Sequence, residues 1–172
     1  ASLSTGCIAG LEVYRKRSEF NLNFKWKHKE GFMMANQHLI AKLNEALGWE
    51  LRAINMYAHY AAYIRGIHRL QLEPHFTAEA NESMVHSNIV RSAIVKLGGV
   101  AVTERNQMPI EHVSSYLDML AESLKTETKA AEVYGELIPM IEEAGDADLH
   151  DAIEQIYLAE VRSVEELRRL AE

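Results

Sequence analysis

The chain has 172 residues, of which 48% are hydrophobic and 25% are charged, and this composition is typical of one globular domain. Its formal net charge of -7 argues against a nucleic-acid partner, because duplex binding depends on clustered lysine and arginine. The single cysteine excludes an intrachain disulfide, and no apolar run approaches the roughly 20 residues that a membrane span needs. We therefore predict a cytoplasmic protein that binds neither nucleic acid nor membrane.

Residues 1–33 differ from the rest of the chain in charge. They carry +3, whereas the remaining residues carry -10. The helical pattern begins only after Met33 and Met34. We predict an N-terminal extension at 1–33, as a leader, tag or accessory arm, and one domain at 36–172. A basic arm with Phe24 and Trp26 could contact an acidic partner, but a tag-like or accessory tail is the simpler interpretation.

The first half of the domain predicts two helices. Apolar residues spaced three and four apart indicate helix A over 37–66. Helix B is expected to begin after Pro74 and to end at the pair Gly98 and Gly99.

The second half predicts two more helices after a linker over 98–112. Helix C continues to residue 143 with a kink near Pro139, and helix D runs from the turn at 144–146 to the end of the chain. A linker of this length could extend over roughly 50 Å, which is enough to return along the whole bundle. We therefore predict an all-α four-helix bundle with one long crossover between helices B and C.

Two stretches of the chain repeat one spacing, of 33 and then 3 residues. The two sets are Glu50, Ser83, His86 and Glu127, Glu160, Ser163. A helical bundle that holds two irons uses a Glu from each of two helices and a Glu-x-x-His pair from each of the others. The chain matches this template except that Ser83 replaces a Glu and Ser163 replaces a His.

The four remaining candidates, Glu50, His86, Glu127 and Glu160, fall in one layer of the predicted bundle. At about 1.5 Å per residue they lie roughly 16 to 24 Å from one end, on the apolar faces of their helices. A single inward Glu or His is more often a boundary or hydrogen-bonded core residue. Four at one height favour a metal site, since a bound cation would offset the cost of burying their charge.

The residues around these candidates resemble those of bacterioferritins. LNEALGWELRAINMYAHYA at 43–61 is similar to the first helix of that family, and LAESLKTETKAAEVYGELI at 120–138 to the third. Met84-Val85-His86 resembles the family's Glu-Met-x-His with Ser83 in place of its Glu, and AEVRSVEEL resembles the fourth helix with Ser163 in place of its His. Over residues 37–171 the chain is identified as a bacterioferritin-like member of the ferritin superfamily, and its fold as the ferritin-like bundle.

The resemblance implies a subunit of a hollow iron-storage shell that oxidises Fe(II) with dioxygen or peroxide. Glu50 and His86 would hold one iron, Glu160 would bind or bridge, and Glu127 would hold the second, so that these four are the implied catalytic and metal-binding residues. Because serine is a weak neutral donor at the two altered positions, we expect a weakened or mononuclear site and slow oxidation.

Two neighbouring acids, Glu79 and Glu82, could substitute for the missing ligands. A solvated or cavity-facing acidic strip is the preferred interpretation of both.

The resemblance also bears on haem and on assembly. Met84 would bind haem b axially at a two-fold interface between subunits, and its alternative role is interface packing. Bacterioferritins continue into a short fifth helix, whereas this chain ends at Glu172. We expect a homo-oligomer of at least two subunits, with cages of 12 or 24 as further possibilities.

Two other functions compete with iron storage and oxidation. One is a non-catalytic structural or haem-bearing subunit in a mixed assembly with a ferroxidase-competent partner subunit, which Ser83 and Ser163 favour. The other is a rubrerythrin-like peroxide reductase, but a single cysteine excludes the Cys-rich module that such proteins carry.

Overall fold

The computed structural model describes residues 36–172, and within them the chain forms helices and no strand. The helices are α1 (36–63), α2 (Arg69–Lys96), α3 (Tyr116–Ala144) and α4 (Ala147–Ala171). The all-α four-helix prediction is confirmed. The extension predicted at 1–33 lies outside the described residues, and none of the described helices has the length and apolar character needed to cross a membrane.

The predicted start of the second helix was wrong. Helix α2 begins at Arg69 and contains Pro74, which cannot donate a hydrogen bond to the carbonyl of Leu70. Leu70 is exposed, so water can satisfy that carbonyl. The helical turn before Pro74 also buries Leu72, next to Phe76 in the core, and this burial favours the longer helix.

The turn between α3 and α4 has the local chemistry that the sequence suggested. Gly145 has a φ of +73° and its N–H donates to the carbonyls of Ile141 and Glu142, which ends α3. The Asp146 carboxylate then accepts from the N–H of Leu149 and caps α4. Helix α3 continues past Pro139 to Ala144.

The crossover, residues 97–115, runs along α1 from one end of the bundle to the other. Its hydrogen-bonded contacts advance along α1 in order: Asn44 with Val100, Gly48 with Asn106, Arg52 with Met108, and Tyr60 with Glu111. Helix α3 therefore begins at the end of the bundle where α2 also begins. The long crossover makes α2 and α3 parallel, as predicted.

Arg52 is a fully buried charge whose role is structural. Its guanidinium donates to the carbonyls of Met108 and Pro109 and to the hydroxyl of Thr126. These bonds join α1 to the crossover and to α3. A buried guanidinium is stable only when it is hydrogen-bonded in this way.

Two apolar clusters fill the bundle, one towards each end. The first includes Leu43, Leu47, Val90, Ile94, Ile141 and Ile153, and the second includes Tyr57, Tyr60, Phe76, Met119 and Leu167. A layer of buried polar side chains separates them: Glu50, Arg52, Ser83, His86, Thr126, Glu127 and Glu160. Since burying ionisable groups is costly, this layer is where a function for the bundle is expected.

Candidate metal centre

Three of the predicted ligands meet in the polar layer. Glu50 from α1, His86 from α2 and Glu160 from α4 each offer a ligand atom, and these atoms lie within 4.8 Å of one another. His86 Nδ1 is 2.9 Å from Glu160 Oε1 and 3.5 Å from Glu50 Oε1. All three residues are at most 7% exposed. We call this group the first position, and its two carboxylates and one imidazole are a donor set that suits iron.

Glu127 lies beside the first position without belonging to its three-residue group. Its side chain is buried, and its Oε1 has no hydrogen-bond partner among the residues that the structure describes. Burial and the neighbouring Glu160 raise its pKa well above the usual range. We call the space next to Glu127, towards Ser163, the second position.

Two tyrosines supply the polar layer with hydroxyl groups. Each lies near the glutamate that comes from the other half of the sequence repeat. Tyr134 donates to Glu50 Oε1 at 2.5 Å. Tyr57 neighbours Glu127 and lowers the pKa of that carboxyl. The Tyr57 hydroxyl itself lacks a hydrogen bond of normal geometry within the described part of the chain. Neither role was predicted from the sequence, although a signal exists, since each tyrosine follows a candidate Glu by seven residues.

The electrostatics of the first position favour binding of a cation in exchange for a proton. Burial raises the pKa of Glu50 and of Glu160. Burial opposes the imidazolium form of His86, but hydrogen bonds with Glu160 and Glu50 outweigh it and raise the pKa of His86 to about 10. At neutral pH His86 is therefore protonated, and a metal ion must displace that proton to bind its nitrogen.

The two serines that interrupt the template take different places. Ser83 is buried in the polar layer on α2. Ser163, on α4, donates its hydroxyl to Glu79 Oε2 at 3.1 Å. The two acids proposed as substitutes also differ, because the Glu79 side chain is 14% exposed whereas that of Glu82 is 47% exposed and lies 3.8 Å from His86 Nε2.

Met84, the predicted haem ligand, lies on the outer side of α2. It is 46% exposed, next to Val85, which is also exposed. Its Sδ atom is 3.9 Å from the hydroxyl of Ser87. The side chain therefore has no place in the polar layer.

A further group of possible ligands lies near the start of α4, away from the polar layer. His150, Asp151 and Glu154 also offer atoms within 4.8 Å of one another. Asp151 and Glu154 are exposed, and exposed acids commonly occur together without binding an ion. This surface cluster serves below as a control for the buried site.

The comparisons with known proteins agree with this geometry. The family model that describes the ferritin-like domain matches residues 40–172. A ferritin-like diiron-carboxylate protein from Bacillus anthracis str. Ames is 28% identical, with a TM-score of 0.76, over 80% of this chain and 98% of that one. No curated protein matches the chain at a significant level.

A second solved structure shows the same fold at lower identity. It is the bacterioferritin-related protein from Bacteroides fragilis, described as a dodecameric thioferritin, with a TM-score of 0.71 and 21% identity over 82% of this chain and 91% of that one. The resemblance seen in the sequence is thus confirmed at the level of the superfamily. The family match over most of the chain, together with the four-helix bundle and its crossover, shows that this protein belongs to the ferritin-like domain family.

Proposed function

We propose that the protein binds iron and oxidises Fe(II) at the first position, as part of iron storage. The convergence of Glu50, His86 and Glu160 from three helices into one buried group carries this proposal. A ferritin-like relative described as a diiron-carboxylate protein supports iron as the metal. Hard carboxylate oxygens stabilise Fe(III) relative to Fe(II), and so favour loss of an electron from the bound ion.

The residues of the first position have separate tasks in this reaction. Glu50 and Glu160 supply negative charge to the entering Fe(II), and His86 supplies a nitrogen once its proton has left. Tyr134 orients Glu50 through the hydrogen bond to Oε1. Two Fe(II) ions that each lose one electron reduce one O₂, which takes up two protons and becomes H₂O₂.

The second position sets the expected rate. The reduction of O₂ to H₂O₂ needs two electrons, and of the two positions in the polar layer only the first has three converged ligands among the described residues. Ser83 and Ser163 leave Glu127 as the sole predicted ligand at the second position. We therefore expect oxidation to be slower than in a bundle that holds both irons firmly.

The test is to add Fe(II) to the purified protein without oxygen, then to admit oxygen and follow ferric absorption in the near ultraviolet. The wild-type chain should form the ferric band faster than either Glu50→Ala or His86→Ala. Glu154→Ala, in the exposed cluster on α4, is the matched control and should behave as the wild type. Equal rates in wild type, Glu50→Ala and His86→Ala would refute the proposal.

The alternative function is a structural or haem-bearing subunit, which the two serines and the exposed face around Met84 favour. Met84 and Val85 form an apolar surface on α2 that could lie at a subunit interface. The experiment is to supply haem and measure the Soret band in wild type and in Met84→Leu, with the oligomeric state determined by analytical ultracentrifugation. A band lost in Met84→Leu supports a haem role; assembly without haem supports packing, and a monomer without haem contradicts both.

A further inference from the structure

Glu79 of α2 is a mostly buried carboxylate that the first position does not use. It lies one helical turn before Ser83, so both residues share a face of α2. The hydroxyl of Ser163 donates to its Oε2 at 3.1 Å. Since Ser163 stands where the metal template has a His, the carboxylate of Glu79 reaches the place of the missing ligand.

Glu127 is a second buried carboxylate, with one oxygen that lacks a partner among the described residues. It is 3% exposed, and its Oε1 makes no hydrogen bond to any described residue. Among the charged groups that act on Glu79, Glu127 has the largest effect. The pKa of the buried Tyr57 hydroxyl is raised by burial, then by the negative charge of Glu127 and then by that of Glu79. The two carboxylates therefore act on each other and on the same buried hydroxyl.

The charges around Glu79 favour a cation there. The charged groups that most influence it are Glu127, Glu82 and Glu166, which are all acidic. Burial, followed by the effect of Glu127, raises the pKa of Glu79 to about 7. A divalent ion between Glu79 and Glu127 would relieve this repulsion and satisfy the free oxygen.

A nitrogen donor lies next to Glu79 on α2. His75, one turn earlier on α2, places Nδ1 3.9 Å from Glu79 Oε1. Its Nε2 is buried and lacks a hydrogen-bond partner among residues 36–172. One face of α2 thus offers a carboxylate one turn before Ser83, which replaces the missing Glu, and an imidazole two turns before it.

We propose that Glu79 and Glu127 bind a second divalent cation next to the first position, with His75 as the neighbouring nitrogen donor. The inference rests on the proposed function, because it supplies the second metal that the oxidation of iron in pairs requires. No described three-residue group that includes Glu79 lies within 4.8 Å, in contrast to the first position. The second cation should therefore bind more weakly than the first.

Glu82 is the competing candidate, and the structure places it differently. Its side chain is 47% exposed and its Oε1 approaches His86 Nε2, the ring nitrogen that does not face Glu50 and Glu160. Glu82 thus lies on the solvent side of His86. A substitution at each acid separates the two candidates.

The test is an anaerobic titration of the metal-free protein with Co(II), which does not require oxidation chemistry. Calorimetry and metal analysis after gel filtration give the equivalents bound per subunit. We expect two equivalents for the wild type and one for Glu79→Gln, with the second binding step weakened at least about tenfold. Glu166→Gln removes an exposed negative charge from the same neighbourhood and should retain two. Circular dichroism of each variant checks that the bundle is folded.

Three results would overturn the inference: one equivalent in the wild type, two unchanged equivalents in Glu79→Gln, or loss of the second equivalent in Glu82→Gln instead. These outcomes are distinct from failure of the proposed function. A protein that binds two Co(II) through Glu79 but oxidises no Fe(II) would refute the ferroxidase activity and leave the second position intact. A protein that oxidises Fe(II) but binds Co(II) in a single step would refute the second position and leave the ferroxidase activity intact.

Discussion

The first and second positions use the same four helices, but their ligands are held to different degrees. At the first position, the acids and the imidazole contact one another, and Tyr134 fixes Glu50. At the second, Glu127 and Tyr57 carry polar atoms without partners in the described chain, and Ser163 binds Glu79 instead of a metal. A template that has lost one ligand from each half can thus keep a group of three ligands at one position while the other position is left with fewer.

The largest expected effect comes from removing a ligand of the better-formed position. His86→Ala should lower the affinity for the first Co(II) equivalent by more than the about 10–100-fold typical of a change outside the ligand shell. Glu127→Ala should leave the affinity for the first equivalent unchanged and lower the affinity for the second. Calorimetric titration of both variants measures the contrast, and equal losses at the first equivalent would show that the two positions are not separable.

Restoring the template should reduce the difference between the positions. Combining Ser83→Glu with Ser163→His returns the two missing ligand types, and we expect the affinity of the second equivalent to rise about tenfold or more. The rate of Fe(II) oxidation should rise with it. The same pair of changes in a Glu127→Gln chain is the control and should restore neither. An unchanged second equivalent in the restored chain would mean that the serines are not the cause of the weakness.

The two tyrosines provide a matched pair of smaller changes. Tyr134→Phe removes the donor to Glu50 and should weaken the first equivalent by about tenfold, as expected when a ligand loses its orienting partner. Tyr57→Phe removes a buried hydroxyl that lacks a partner in the described residues, so it should not lower the free energy of unfolding of the metal-free protein. Thermal unfolding and titration of both variants test this contrast. Equal losses of affinity for the first equivalent in the two variants would contradict it.

The change in metal affinity over half a pH unit should be the smallest of these effects. The pKa of His86 is raised to about 10 in the metal-free protein, so each cation at the first position displaces its proton at neutral pH. Affinity should therefore rise with pH, by about tenfold per unit for one proton and so about threefold from pH 7.0 to 7.5. Titration in two buffers of different ionisation enthalpy counts the protons released. An affinity that is independent of pH between 6.5 and 8 would contradict the protonation of His86 in the metal-free protein.

Much of the fold could be predicted because it follows from local pattern and chain length. The apolar period indicated the helices, and the long linker indicated the crossover. The start of α2 could not be predicted from its own residues, since Pro74 normally marks a helix boundary. The burial of Leu72 against the bundle decides that boundary, and burial depends on tertiary contacts.

The site was predicted in part. The repeated spacing identified Glu50, Ser83, His86, Glu127 and Glu160 but not Arg52 and Thr126 of the polar layer. Residues at one height on inward faces come together in a bundle. The spacing could not distinguish Glu79 from Glu82, which lie within one turn of α2 but differ in exposure and in their contacts with Ser163 and His86. The hydrogen bond from Tyr134 to Glu50 could not be predicted either, because it joins residues from different halves of the repeat.

The most direct test of the difference between the two positions is anomalous diffraction from crystals grown without oxygen in limiting Fe(II). We expect the strongest iron peak among Glu50, His86 and Glu160, with a weaker peak beside Glu127 and Glu79 as Fe(II) is increased. A structure whose iron lies only at His150, Asp151 and Glu154, or whose polar layer stays empty at saturating Fe(II), would contradict it.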